Sequence, residues 1–221
     1  MFLKIKENGY IEKNKSIQAY DAKENKFLPD RYVEGECPKC NYQEARGDQC
    51  DSCGITLDPE ELINPKSKIS GNNAEFKETE HYFLKLSKLN DKLGNWLKSR
   101  QDWRPHVINF SKSFVEEGLQ DRAITRDLDW GIDIPENELG EGKKIYVWFE
   151  AVIGYLSASK EWAINNGTPD AWKDFWLDEK AESYYFVGKD NVPFHAIIWP
   201  AMLLAYGCLL YTSPSPRDLY R

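Results

Sequence analysis

Apolar and polar positions repeat with two different periods along this chain, and the change of period divides it. At the start, Phe2-Leu3-Lys4-Ile5 predicts a short helix closed near Gly9, and Tyr10-Ile11-Glu12-Lys13 reads as strand. Lys77 to Leu86 predicts a second strand. Between them, Asp58-Pro59-Glu60-Glu61 carries helix-start signals, with Asp as N-cap, Pro first and Glu third. From Ser87 the period becomes helical. Leu89, Leu93, Trp96 and Leu97 share one face, and so do Val107, Phe110 and Phe114, with Gly118 as the stop. Lys144 to Phe149 predicts a strand, and 150–166 a helix closed by Asn166-Gly167. Ser183 to Val187 predicts another strand, followed by mostly helix from Gly188 to about Gly207. Strand, helix, strand, helix at this spacing predicts an α/β unit: a parallel sheet covered by helices.

Composition sharpens the division. The 221 residues are 41% hydrophobic and 29% charged, enough apolar material for a real core. Eight Trp residues predict large cores or pockets. Lys plus Arg is 29 and Asp plus Glu is 36, a net charge of −7 that argues against a protein coating nucleic acid. Met1 to Glu7 alternates charge too early for a secretory signal, and the uncharged run from Ala196 to Tyr211 carries Pro200 and Gly207. These features predict a cytoplasmic protein without a membrane span. The organisation read from them is a Lys-rich piece at 1–35 and a small β-rich module at 36–86. An α/β part follows at 87–207, and a non-native-looking Ser/Pro-rich tail at 208–221 fits neither helix nor strand.

Four of the five cysteines lie between Cys37 and Cys53. Cys37-Pro38-Lys39-Cys40 and Cys50-Asp51-Ser52-Cys53 are two CxxC pairs with nine residues between them. Each pair bends a knuckle that turns two thiolates toward one point, with Gly47 and Gly54 relaxing the turns. Four sulfurs suit one tetrahedral, structural Zn²⁺ and leave no open coordination position for catalysis. A redox CxxC would need one pair at a helix start, which this arrangement is not.

The two strand-to-helix corners form a second constellation. Taken as a strand, 146–150 puts Trp148 and Glu150 on one face, and the following helix stacks Ala151 with Tyr155. After the second strand, Gly188-Lys189-Asp190 turns the corner, and Asn191 and His195 stand four apart. Ligands of open α/β sheets bind beyond the carboxyl ends of strands. The corners therefore predict one crevice lined by Trp148, Ala151, Tyr155, Asn191 and His195.

Several longer stretches resemble the methionyl-tRNA synthetases. They are Tyr32-Val33-Glu34-Gly35 leading into the knuckle, Glu61 to Pro65, Thr79-Glu80-His81-Tyr82-Phe83, and Ile124-Thr125-Arg126-Asp127 with Trp130-Gly131. Tyr146 to Phe149 with Ile153-Gly154-Tyr155, and Gly188 through Phe194-His195 to Met202, complete the series. The resemblance implies the second half of a class I Rossmann-type catalytic domain, interrupted by a zinc-bearing connective insertion. It implies ATP-dependent activation of L-methionine, with Mg²⁺, and transfer to tRNA(Met). It assigns Arg126, Trp148, Ala151, Tyr155, Asn191 and His195 to methionine, with Tyr155 and His195 offering polar contacts to sulfur. It assigns Gly188, Lys189 and Asp190 to ATP, and Cys37, Cys40, Cys50 and Cys53 to one zinc. Neither the HIGH nor the KMSKS signature of the family occurs in these residues, which predicts an internal fragment without activity of its own. Where many relatives have a second four-cysteine knuckle, Asp21, Glu24, Ser67 and Ser70 stand instead. The alternative is a non-enzymatic zinc-ribbon binding module on an α/β scaffold. A ribbon that binds nucleic acid should be basic, yet Lys39 and Arg46 are outnumbered by Glu34, Glu36, Glu44, Asp48, Asp51 and Asp58.

Overall fold

A computed structural model describes residues 1–47, 50–53, 57–100, 103–136, 138–178, 180–188, 191–207 and 214–218. Helix α1 (Phe2–Glu7) buries Phe2 and Ile5, and β1 (Ile11–Asp21) and β2 (Lys26–Phe27) follow. Next come β3 (Val33–Glu36), β4 (Ala45–Arg46), β5 (Ile63–Ser67) and β6 (Glu75–Leu84). Helices α2 (Asn90–Lys98) and α3 (Pro105–Glu116) lead to β7 (Arg122–Ala123), β8 (Thr125–Asp127) and β9 (Lys143–Ile145). Then α4 (Val147–Ala151), α5 (Gly154–Asn165) and α6 (Trp172–Trp176) run to β10 (Ser183–Val187). A π-helical turn, Phe194–Ile198, enters α7 (Trp199–Tyr206), and β11 (Pro214–Asp218) lies last.

The insertion hangs on a two-stranded ribbon. β1 and β6 pair antiparallel from Ile11 opposite Leu84 to Tyr20 opposite Glu75, inside a sheet ordered β2-β1-β6-β7. The boundary expected between residues 35 and 36 falls inside β3. The strand expected to leave the module, β6, is the partner of the strand that enters it. Beyond the ribbon, β4-β3-β5 forms a sheet of its own. Its small core holds Val33, Ala45, Leu57 and Leu62 with Cys37 and Cys50. Gly47 is required here by close approach rather than by a turn: a Cβ there would stand 2.6 Å from the carbonyl oxygen of Asp30. Gly54 lies outside the described residues.

The Asp58 start signals produce one 3-10 turn, Pro59–Glu61, closed by a capping box in which the Asp58 N–H donates to Glu61 Oε2 at 2.7 Å. The turn does not propagate: the backbone is already extended at Leu62 (φ −66°, ψ 140°) and continues into β5. Downstream, α2 buries Leu93 and Leu97, α3 buries Val107, Ile108 and Val115, and Gly118 ends the segment at φ +89°. These faces join Tyr82, Leu84, Leu86 and Leu89 in the main core. The abundant Trp divides: Trp199 is fully buried and Trp103 nearly so, whereas Trp130 is 82% exposed.

Three expectations are corrected. First, the strand of 144–149 ends at Ile145, and the helix starts at Val147 instead of Glu150, with a break between α4 and α5. An apolar run cannot by itself distinguish a buried strand from a helix. Here Phe149 and Val152, three apart, are the buried pair, and Phe149 meets the ring of Phe2 edge-on. Second, β9 and β10 do not share a parallel sheet. β9 pairs antiparallel with β8, and among the described residues the partner of β10 is β11, in parallel. β9 is three residues long and β8 occupies it, so no parallel neighbour extends it. Third, 214–218 is a strand. Residues alternate across a strand, so Pro214 and Pro216 share one edge, and an edge strand tolerates proline there. Among the described residues, no helix is long and apolar enough to cross a membrane.

Candidate active site and metal centre

The metal centre follows from the β3–β4 hairpin. Cys37 leaves β3, and its N–H donates to the Tyr42 carbonyl at 2.8 Å, which closes the first knuckle. Cys37 and Cys50 are buried, while Cys40 and Cys53 are exposed. All four sulfurs lie within 4.8 Å of one another, with Cys37–Cys53 at 3.9 Å and Cys40–Cys50 at 3.6 Å. Tetrahedral sulfurs about 2.3 Å from a zinc ion stand about 3.8 Å apart, so the donor set and its spacing fit that ion. The backbone N–H groups of Cys53 and Ser52 bring the Cys50 thiol down to about 7 against its burial, as a thiolate site requires.

Asp21, Ser67 and Ser70 also converge. Asp21 is 1% exposed at the end of β1, beside Ser67 of β5. The hydroxyls of Ser67 and Ser70 hold its carboxyl down at about 2 against burial, helped by the N–H groups of Glu24 and Lys23. The Lys23 N–H donates to Asp21 Oδ1 at 3.0 Å. Among the described residues, the four cysteines are the one cluster able to hold a metal. A lowered carboxyl stabilises the fold above its unfolded value of about 4 and stops doing so as pH falls toward 2. Asp21→Asn should therefore melt below the parent chain at pH 5, and the gap should close between pH 4 and pH 2. A gap independent of pH in thermal melts would rule this out.

The second constellation is built by β10, the π-helical turn and α5. Tyr155 shares a 2.8 Å hydrogen bond with His195 Nε2, and His195 Nδ1 lies 2.9 Å from the Asn191 carbonyl oxygen. A carbonyl oxygen only accepts, so Nδ1 carries the proton. Burial pushes the His195 pKa below its ordinary value against the pull of that carbonyl, which keeps the ring neutral. Nε2 is then an acceptor, and the Tyr155 hydroxyl donates to it. Both groups expected to meet a sulfur are thus already engaged with each other. Tyr155→Phe should raise the His195 pKa, because it removes a bond that favours the neutral ring. An NMR titration showing no upward shift would disprove this assignment.

Trp148 stacks on Phe194, next to His195, with centroids 4.5 Å apart and 20° between planes. Ala151 is exposed at the end of α4. Gly188 ends the β10 corner and accepts the Asn191 N–H at 2.9 Å, whereas Lys189 and Asp190 lie outside the described residues. Arg126 stands apart: its guanidinium lies 4.2 Å from the Tyr146 ring centroid, and Nη1 donates to the carbonyls of Ala123 at 2.9 Å and Thr125 at 2.8 Å. The single crevice expected from the two corners is two cavities. Arg126, Tyr146 and Trp148 line one of about 820 Å³, facing Leu28, Pro29 and Tyr32 of the insertion. Tyr155 lines another of about 790 Å³ with Ser159 and Tyr185. The early helix start causes this division, because it carries Trp148 onto Phe194.

Tyr185 is the residue that motif reasoning missed. It is buried, its ring meets Tyr155 edge-on at 5.0 Å and His195 at 5.5 Å, and its hydroxyl accepts the Trp199 indole N–H at 3.3 Å. Burial pushes its pKa up to about 12. The signal was present as alternation, since Tyr184 and Phe186 on either side are exposed.

A mixed α/β scaffold with a four-thiol cluster on an inserted sheet defines the class: an α/β protein carrying an insertion able to hold a metal ion. Residues 1–216 match the family described as tRNA synthetases class I (M), and the chain belongs to that family. It is 56% identical over 221 residues to the methionine–tRNA ligase of Dehalococcoides mccartyi, covering all of this chain and 39% of that relative. It is 52% identical over 206 residues to that of Thermoplasma acidophilum, covering 93% of this chain and 38% of the relative. The chain thus spans about two fifths of the length of the curated relatives it matches. A crystal structure of Mycobacterium tuberculosis methionyl-tRNA synthetase bound by methionyl-adenylate has the same fold at a TM-score of 0.60 and 23% identity, over 98% of this chain and 36% of that one.

Proposed function

We propose that this chain is the insertion and second catalytic half of a cytoplasmic methionine–tRNA ligase, which activates L-methionine with ATP and Mg²⁺ and transfers it to tRNA(Met). The observation that carries this reading is the Tyr155–His195–Asn191 hydrogen-bond chain beside the Trp148–Phe194 stack, in a member of this family. In this proposal the protein works by positioning and charge stabilisation, with no covalent nucleophile, since adenylate forms by attack of the methionine carboxylate on the α-phosphate. Trp148 and Arg126 on one cavity and Tyr155 on the other, together with Ala151, Asn191 and His195, take the methionine side chain, which requires the two cavities to join when it binds. A thioether is a weak acceptor, so Tyr155 must turn its proton away from His195 to read the sulfur. Gly188, Lys189 and Asp190 hold ATP in the Rossmann-type half. Zinc at Cys37, Cys40, Cys50 and Cys53 is structural: the four thiolates leave it no open position, and it holds together a connective module too small for its own core.

The acidic surroundings of the knuckle favour this reading over a free-standing nucleic-acid ribbon. A chimera tests it, with residues 1–207 replacing the matching stretch of the Dehalococcoides mccartyi relative. Methionine-dependent exchange of pyrophosphate into ATP is the expected result. A folded, zinc-loaded chimera without that exchange would refute the reading.

A further inference from the structure

Two of the stretches that resemble the family, Thr79 to Phe83 and Ile124 to Asp127, lie outside both constellations, yet the fold brings them face to face. Along β8, Thr125 and Asp127 point one way and Arg126 the other. The face opposite Arg126 is a buried polar cluster. His81 of β6 is fully buried, and its Nδ1 lies 3.0 Å from Thr125 Oγ1, which also accepts the Tyr82 N–H at 3.0 Å. His81 Nε2 stands 2.9 Å from Asp127 Oδ2 but approaches it obliquely. Lys143 of β9 reaches Asp127 Oδ1 at 2.6 Å and Thr79 Oγ1 at 2.7 Å, and Thr79 donates to Asp127 Oδ2 at 3.1 Å. The residues on both sides of Arg126 are therefore pinned from two neighbouring strands. The guanidinium itself donates to backbone carbonyls of its own segment and lies over the Tyr146 ring, with the Asp30 and Asp127 carboxylates attracting it.

We infer that Thr79, His81 and Lys143 are positioning residues that fix Arg126 at the mouth of the 820 Å³ cavity. Through them, the β1–β6 ribbon that carries the insertion is tied to the proposed methionine-binding half. A buried hydrogen-bonded network of this kind, with Thr125, Asp127, Thr79 and Lys143 tied across three strands, favours one arrangement of those strands. A shift of β8 would carry Arg126 with it, and displacement of about 1 Å at a distant support can cost about 100-fold in rate. The link to catalysis rests on the proposed function, while the link to Arg126 does not.

The test has two arms. In the 221-residue chain, the Nη–H signal of Arg126, whose Nη1 donates to the carbonyls of Ala123 and Thr125, should exchange slowly with solvent in a ¹⁵N spectrum. It should exchange faster in His81→Ala and in Thr79→Val. His81→Asn, which keeps a polar group at the Nδ1 position, should restore it. Thr79→Val preserves shape and removes one hydroxyl, so it remains informative if the alanine variant unfolds. In the chimera, the same substitutions should raise the methionine KM about tenfold or more with a smaller change in kcat. Added to Arg126→Ala, they should cause no further loss. An unchanged Arg126 signal in folded variants, or losses that multiply with Arg126→Ala, would overturn the inference. If the unsubstituted chimera lacks exchange activity, the proposed function fails, and the Arg126 signal still decides this one.

Discussion

Stripping metal from the chain, or replacing Cys50 with serine, should unfold the insertion while the α/β part stays folded. Its sheet is made of β3, β4 and β5, none longer than five residues, and among the described residues its core is eight side chains that include Cys37 and Cys50 themselves. So little apolar area cannot offset the conformational entropy of the module. A structural zinc contributes on the order of 10 kcal/mol or more to such sites, so losing one ligand should remove most of the local stability. Hydrogen exchange reads this directly. The amides of Cys37 and Gly47, which donate to Tyr42 and Val33, should lose protection. The amides of α2 and α3 should keep theirs, because those helices pack into the separate main core. Elemental analysis should find one zinc per chain. Two ions, or full protection after chelation, would contradict the assignment.

Trp199→Ala should cost about 3–5 kcal/mol, the range for truncating a buried aromatic. For a chain of this size that lowers the melting temperature by about 6–20 °C. Trp199 is fully buried, stands perpendicular to Trp176 with centroids 5.8 Å apart, and donates its indole N–H to Tyr185. Its loss removes core volume and also the partner that fixes Tyr185 beneath Tyr155 and His195. Trp199→Phe keeps a ring but leaves the Tyr185 hydroxyl without that donor, so it should cost less, roughly 1–3 kcal/mol. A melting temperature within about 2 °C of the parent for Trp199→Ala would show that the cavity collapses freely.

The legible parts of this protein depend on neighbours in sequence. The two CxxC pairs each need only one knuckle turn, and their spacing alone brought four sulfurs to within reach of one ion. The strand Ser183–Val187 matches its expected limits and the face of α2 its apolar spacing, because i, i+2 and i, i+4 geometry is set by the local backbone. Helix α3, by contrast, is turned so that Ile108, Ser111 and Val115 are buried and Phe110, expected on its inner face, is exposed. Tyr155 and His195 were each singled out because they sat at recognisable corners, but neither their hydrogen bond to each other nor its direction was legible. The direction needed the Asn191 carbonyl, which takes the proton of Nδ1.

What only the tertiary structure decided involves partners far away in the chain. The run from Lys144 to Phe149 switches from strand to helix after its last cross-strand bond, from the Tyr146 N–H to the Ile124 carbonyl, where Phe149 turns inward to meet Phe2. The split of one expected crevice into two cavities follows from that switch. β6 leaves the cysteine module for a partner more than sixty residues earlier for much of its length, a pairing that alternation alone cannot specify. Tyr185 and the Thr79–His81–Asp127–Lys143 cluster gain their roles only when β6, β8, β9 and β10 meet other elements. Periodicity and motif spacing determined which segments fold and which thiols cluster closely enough to hold one metal ion, since both act within a few residues. Long-range packing decided which side chains face which cavity, because burial and cross-strand hydrogen bonds depend on neighbours that local sequence does not name.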